Sequence, residues 1–251
     1  MRLLVMAFFV WLASRLVKKA RDQRRHHKLV RQLKDLGVYG GTVRVKSTHK
    51  RTMSPQGCSA QPDRPVPFGY KTAWLAVQCG DPRQVAGAMH CRQLTPASWE
   101  TGLARYAQSG GGLFLSPALD GFVLVIGADL FALAHRRKAL EALAGQFPEV
   151  QYFASHRVSA SCCWARYKAG RCVRAYCYED GAVTWDEGPL TPEEQALGLA
   201  DGEPAERAPG EEDVLDVAAA WGIDPRFERK IYPPAAGWVC NERKEHLQWD
   251  G

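Results

Sequence analysis

His156, Cys162 and Cys163 fall within eight consecutive residues, and a thiol beside an imidazole is the pairing that makes a nucleophile with its own general base. Such a thiol needs a lowered pKa, supplied by a helix N-terminus or a neighbouring cation. Here both cysteines open the segment from Ser161 to Tyr167, which alternates like a sheet strand, and no glycine-rich or family-specific motif surrounds them. A Cys/His hydrolase is therefore the second reading. Cys172 and Cys177 bracket four residues, a gap that suits zinc. On one strand, however, positions five apart point to opposite faces, so the pair is not expected to share a metal. GxGxxG, the phosphate loop, GxSxG and HExxH are all missing from the chain. The expectation is a protein that is not an enzyme, with no catalytic residue, no metal and no cofactor. Eight cysteines with irregular spacing, two of them adjacent, read as reduced thiols in a cytoplasmic setting.

These residues need elements to hold them. Thr72 to Cys79 alternates as a strand; Pro82 to His90 reads as a helix capped by Asp81; Thr95 caps a further helix with Pro96 in its first turn. Leu113 to Ser116 and Phe122 to Ile126 flank an Asp120-Gly121 turn and form a hairpin. His135 to Phe147 is helical, and Val150 to Ala154 is a strand. A meander follows, Ser161 to Tyr167, Arg171 to Tyr178 and Ala182 to Asp186, turning at Ala169-Gly170 and Asp180-Gly181. Pro192 to Leu197, capped by Thr191, and Glu211 to Trp221, with an acidic first turn, are helices. From Ile223 onward the apolar period is too sparse to assign. Helices and antiparallel strands are mixed without βαβ order, which indicates an α+β fold, a two-layer antiparallel or mixed sheet packed with helices. Residues 1–36 form an N-terminal apolar and basic helix, 37–67 a linker rich in Pro, Ser and Gln toward its end, and 68–251 the globular domain.

Two-residue turns fix a register. Pairing sums of 339 and 361 set Cys162 opposite Cys177 and Tyr167 opposite Cys172. One face then collects Cys163, Ala165, Tyr167, Cys172, Arg174, Tyr176, Tyr178, Val183 and Trp185; the other collects Cys162, Trp164, Arg166, Val173, Ala175 and Cys177. If helices cover only one face, the Tyr/Arg/Trp face meets solvent and offers interface anchors; if both are covered, these aromatics are core.

Charge is divided along the chain. The first fifty residues hold 13 Lys/Arg against 2 Asp/Glu, whereas residues 51–251 hold 20 against 25. Leu3, Leu4, Phe8, Phe9 and Trp11 lie in an apolar run, and Lys18 and Lys19 open a basic cluster behind it. The run to Val17 is shorter than the roughly 20 residues of an unaided span. With its basic flank it is expected to seek the membrane and hold the body at the cytoplasmic face of the bacterial inner membrane, with a plain cytoplasmic protein as the alternative. Without interleaved aromatics, the basic cluster is not expected to bind nucleic acid directly. Residues 179–216 carry the opposite sign: 13 acids, among them Asp186, Glu187, Glu193 and Glu194, against Arg207 alone. Such a run is commonly a solvated loop with capping acids, and it can also steer a basic protein partner, for example a nuclease.

The stretches FGYKTAWLAV (Phe68 to Val77), VQYFASHRV (Val150 to Val158), TWDEGPLTPEEQALGL (Thr184 to Leu199) and AAAWGIDP (Ala218 to Pro225) resemble a recurrent family of uncharacterised bacterial proteins similar to the immunity proteins of contact-dependent toxin loci, such as type VI secretion effector pairs. The likeness spans about residues 68–225 and excludes the N-terminal helix. It implies binding and not catalysis, and it brings no catalytic residues with it; the first reading is then an immunity protein that neutralises a cognate antibacterial toxin by occupying its active site or substrate groove. The expected contact residues are Tyr176, Tyr178, Trp185, Asp186, Glu187, Glu193 and Glu194. A non-catalytic envelope-assembly protein is the further alternative.

Overall fold

The computed structural model describes residues 59–109, 112–199 and 208–240. The N-terminal segment, with Leu3, Leu4, Phe8, Phe9, Trp11, Lys18 and Lys19, lies outside the described residues. Among the described residues nine strands build one antiparallel sheet: β1 Ala73–Gln78, β2 Leu94–Ala97, β3 Leu113–Leu115, β4 Phe122–Ile126, β5 Glu149–His156, β6 Ser161–Lys168, β7 Arg171–Glu179, β8 Ala182–Glu187 and β9 Gly237–Cys240. Their spatial order is β2-β9-β3-β4-β1-β5-β6-β7-β8. The helices are α1 Pro82–Ala88, α2 Trp99–Ser109, a 3-10 helix Ala128–His135, α3 Arg137–Ala144, α4 Pro192–Ala196 and α5 Glu211–Trp221. The fold is α+β, with the sheet as its larger part.

Alternating apolar positions feed two separate cores. On one face Leu75, Val77, Val125, Tyr152, Cys163, Ala165, Cys177 and Trp185 pack with α1, the 3-10 helix and α3; on the other, Trp74, Phe114, Phe153, Trp164 and Tyr176 pack with α2 and α5. Helices therefore cover both faces, and the two-layer expectation gives way to helix, sheet and helix in three layers. Strands buried on both sides explain why β5, EVQYFASH, is buried at seven of its eight positions, the polar Glu149, Gln151 and Ser155 included.

Turn chemistry sets the hairpins as expected. Asp120 and Gly121, Ala169 and Gly170, and Asp180 and Gly181 all adopt positive φ, the conformation that a two-residue turn matched to strand twist requires. Asp81 caps α1 by accepting from the Arg83 N–H, and Thr191 caps α4 in a reciprocal box with Glu194.

Two elements differ from their sequence reading. Leu94 to Ala97 is strand β2, not a helix start, because β9 from the unassigned tail pairs with it, Leu94 against Cys240 and Pro96 against Trp238. Pro96 fits there because β2 is an edge strand. Helix α2 opens at Trp99 instead, and the Asp63 carboxylate accepts from the Trp99 and Glu100 N–H groups. Asp63 also bridges Ala235, and Ser98 N–H donates to the Ser59 carbonyl, so the end of the expected linker is bonded to the domain. The second difference is at His135, which ends a 3-10 helix while α3 starts at Arg137. The turn before it buries Leu130, Leu133 and Ala134, and that burial draws the chain into a helix earlier than the charged residues suggest.

Candidate protein-interaction site

The β6–β7–β8 meander carries the four cysteines considered above together with Tyr176, Tyr178, Trp185, Asp186 and Glu187, while His156 ends β5 and Glu193 and Glu194 lie on α4; two β-bulges decide where each meander side chain goes. Tyr167 pairs with Cys172 as the turn dictates, but Arg166 then pairs with Arg174, which leaves Val173 without a partner. Past this point the register is one residue off the expected sum. Cys162 faces Tyr178, and Cys163 faces Cys177. A second bulge leaves Thr184 unpaired between Tyr178↔Val183 and Cys177↔Trp185. A one-residue shift moves every later side chain to the other face. Arg174, Tyr176, Tyr178 and Val183 consequently join Cys162, Trp164 and Arg166, whereas Cys172, Ala175 and Cys177 join Cys163 and Trp185.

The cysteine expectations change with the register. Cys172 and Cys177 lie on the same side, contrary to the simple alternation, and Cys177 is joined to Cys163 in a disulfide with Cα atoms 4.1 Å apart. That bond replaces the reduced pair expected from composition. Both cysteines are 1% exposed, so access as well as compartment governs their redox state. Cys162 pairs with Ser155 on one face, and the His156 ring sits edge-on to Phe131 on the other. The thiol and the imidazole are thus separated by the sheet. Burial, followed by the charges of Asp213 and Glu211, pushes the Cys162 thiol up to about 12, the reverse of what a nucleophile needs. Among the described residues no group of three or more His, Cys, Asp or Glu side chains is placed to hold a metal.

The aromatic anchors also move inward. Tyr176 and Trp185, expected at the surface, are each 3% exposed, because helices cover both faces. Tyr176 stacks on Trp164 with centroids 4.9 Å apart, and Trp185 lies beneath the Arg137 guanidinium at 4.7 Å. Tyr178 is half-buried.

The acids divide into two groups. Glu194, fully buried, accepts from the Trp164 indole N–H at 2.7 Å, from Arg174 Nε at 2.9 Å and from the Thr191 backbone N–H at 2.8 Å. Arg174 is itself buried; its Nη1 donates to Asp186 and to the Gly188 carbonyl, while Nη2 finds no acceptor among the described residues. Burial alone would lower the Arg174 pKa, but its bonds to Glu194 and Asp186 outweigh that and raise it. This ion-paired cluster escaped the sequence reading, although an arginine in an apolar strand and a glutamate at the third position of a capped helix were its two available signs. The second group is outward. Asp180, Asp186 and Glu187 are exposed, and Glu193 keeps 35% of its side chain accessible. Residues 179–199 contain six acids and no Lys, Arg or His, but Arg174 of β7 pairs with Asp186 and Arg166 of β6 with Glu193, so the outward negative charge at the β8 end of the sheet is carried chiefly by Asp180 and Glu187. Asp201, Glu203 and Glu206 lie outside the described residues.

One cleft of about 580 Å³ lies away from this region, lined by Val66, Phe68, Tyr70, Lys71, Leu103 and Ile126 among others. None of the residues expected to act falls in it. Among the described residues no helix is long and apolar enough to cross a membrane. No family model matches this chain, nor does any curated protein or solved structure.

Proposed function

We propose that this protein is a non-catalytic binder, an immunity protein that neutralises a cognate secreted antibacterial toxin by occluding its active site. The observation that carries the reading is the acidic group at the β8 end of the sheet, where Asp180 and Glu187 are exposed and Asp186 and Glu193, paired with Arg174 and Arg166, keep part of their side chains accessible. A surface of one sign raises the encounter rate with a partner of the other sign and fixes its orientation, which suits a basic toxin such as a nuclease. The resemblance of four stretches to immunity proteins supports the same reading. Separation of Cys162 from His156 by the sheet removes the support that the alternative, a Cys/His hydrolase, drew from their spacing. Localisation at the cytoplasmic face of the inner membrane belongs to the proposal and rests on the apolar and basic N-terminal sequence.

Co-purification with the product of a neighbouring toxin gene tests the partner. With that product in hand, Glu187→Lys combined with Glu193→Lys is expected to slow association on the order of tenfold at low salt and to flatten its salt dependence, with dissociation little changed. Unchanged association kinetics would remove the acidic surface from the interface. Glu194 is left intact in this test because its loss would unfold the site.

A further inference from the structure

We propose that the outer edge of β8 accepts an extended, Lys- or Arg-bearing segment of a protein partner as an additional strand. This deepens the reading above and rests on it. The sheet has two ends, β2 and β8, and they are not equivalent. β2 has four residues, one of them Pro96, which has no N–H to offer, and the Ser98 N–H just beyond it is taken by Ser59. Short edges containing proline are protected against strand addition. β8 has six residues and no proline, and among the described residues no strand pairs with its outer side. The carbonyl of Thr184, the residue that the bulge leaves unpaired with β7, accepts at 3.1 Å from the Arg137 guanidinium, whose plane lies over Trp185. Arg137 therefore already satisfies the bulged Thr184 carbonyl, and an added strand has to pair with the other β8 positions.

Charge selects the occupant. A second copy of this chain would bring Asp186 and Glu187 against the same acids, and like charges across a strand pair oppose pairing. A basic segment meets them with complementary sign, while main-chain hydrogen bonds to the edge supply affinity that does not depend on the exact side chains.

Backbone pairing is separable from charge attraction. The full chain is titrated with a ten-residue peptide of alternating Lys and Val, with the same peptide N-methylated through its six central residues, and with a Glu/Val counterpart, while amide hydrogen exchange is followed along the protein. The expected result is slowed exchange in β8 but not in β2 with the Lys/Val peptide, at least tenfold weaker binding after N-methylation, and no binding of the Glu/Val peptide. Equal binding of the N-methylated peptide would overturn strand addition and leave the acidic surface as a purely electrostatic contact. No protection in β8, or protection in β2 instead, would also overturn it. The wider functional reading fails separately, when the toxin associates at the same rate with the Glu187→Lys, Glu193→Lys protein.

Discussion

Glu194 has three donors converging on one buried carboxylate: the Trp164 indole, the Arg174 guanidinium and the Thr191 backbone. A buried ion pair is poor evidence of net stabilisation, since desolvation consumes much of the Coulomb gain, but removing one partner strands the other charge away from water. Glu194→Ala is therefore expected to cost about 3–5 kcal/mol, seen as a lower urea midpoint at unchanged slope. Arg174→Met together with Glu194→Leu takes away both charges and should recover a large part of that loss. The recovery stays incomplete because the Trp164 and Thr191 N–H groups still lack an acceptor, at about 1–3 kcal/mol for each one left buried. If Glu194→Ala costs under about 1 kcal/mol, Arg174 has found water and the cluster is not what holds α4 to the sheet. The sequence offered Glu194 only as one acid in a charged run. Its neighbours in space, Trp164 and Arg174, come from strands β6 and β7, and their convergence depends on a register that composition does not encode.

At the scale of elements, the legible features were those with local causes. Asp-Gly and Ala-Gly turns, Asp81 and Thr191 caps, and the acidic first turn of α5 all act over a few residues, and each is found where its chemistry placed it. The bulges at Val173 and Thr184 have no such local sign, and they reversed the faces of Arg174, Tyr176 and Tyr178. β9 was missed because its partners, β2 and β3, lie more than a hundred residues earlier in the chain. The bulge assignment has a sharp consequence. Since Val173 is the unpaired residue, deleting it leaves Cys172 and Arg174 on the faces they already occupy and keeps Cys163 opposite Cys177. Deleting Ala175, two positions on, shifts part of the ladder by one and turns Arg174 into the other core. The Val173 deletion is expected to unfold cooperatively and to retain the Cys163–Cys177 bond in peptide mapping. The Ala175 deletion is expected to lose cooperative unfolding. Similar damage from both deletions would mean that the added twist of the bulge, not its spacing, is what β7 needs.

Across the whole molecule the charges are segregated, with net basic character in the first fifty residues and net acidic character in the rest. A uniformly basic protein would bind anionic surfaces all over. In sequence the basic residues follow directly on the apolar run from Leu3 to Val17, and in the proposed membrane association the anionic headgroups that attract Lys18 and Lys19 would repel the acidic body. Each basic residue at such a surface contributes about 1 kcal/mol, so the seven from Arg15 to Lys28 are together ample to hold an acidic body close to a membrane that it would otherwise avoid. Cell fractionation of the full chain against a chain starting at Gly41 measures this directly. The full chain is expected in the membrane fraction and to be partly released by high salt, because the electrostatic share is screened while the apolar share is not. The shortened chain is expected in the soluble fraction at any salt. If both distribute alike, the apolar run serves the fold and not the membrane, and the acidic surface must find its partner without the concentrating effect of a shared membrane.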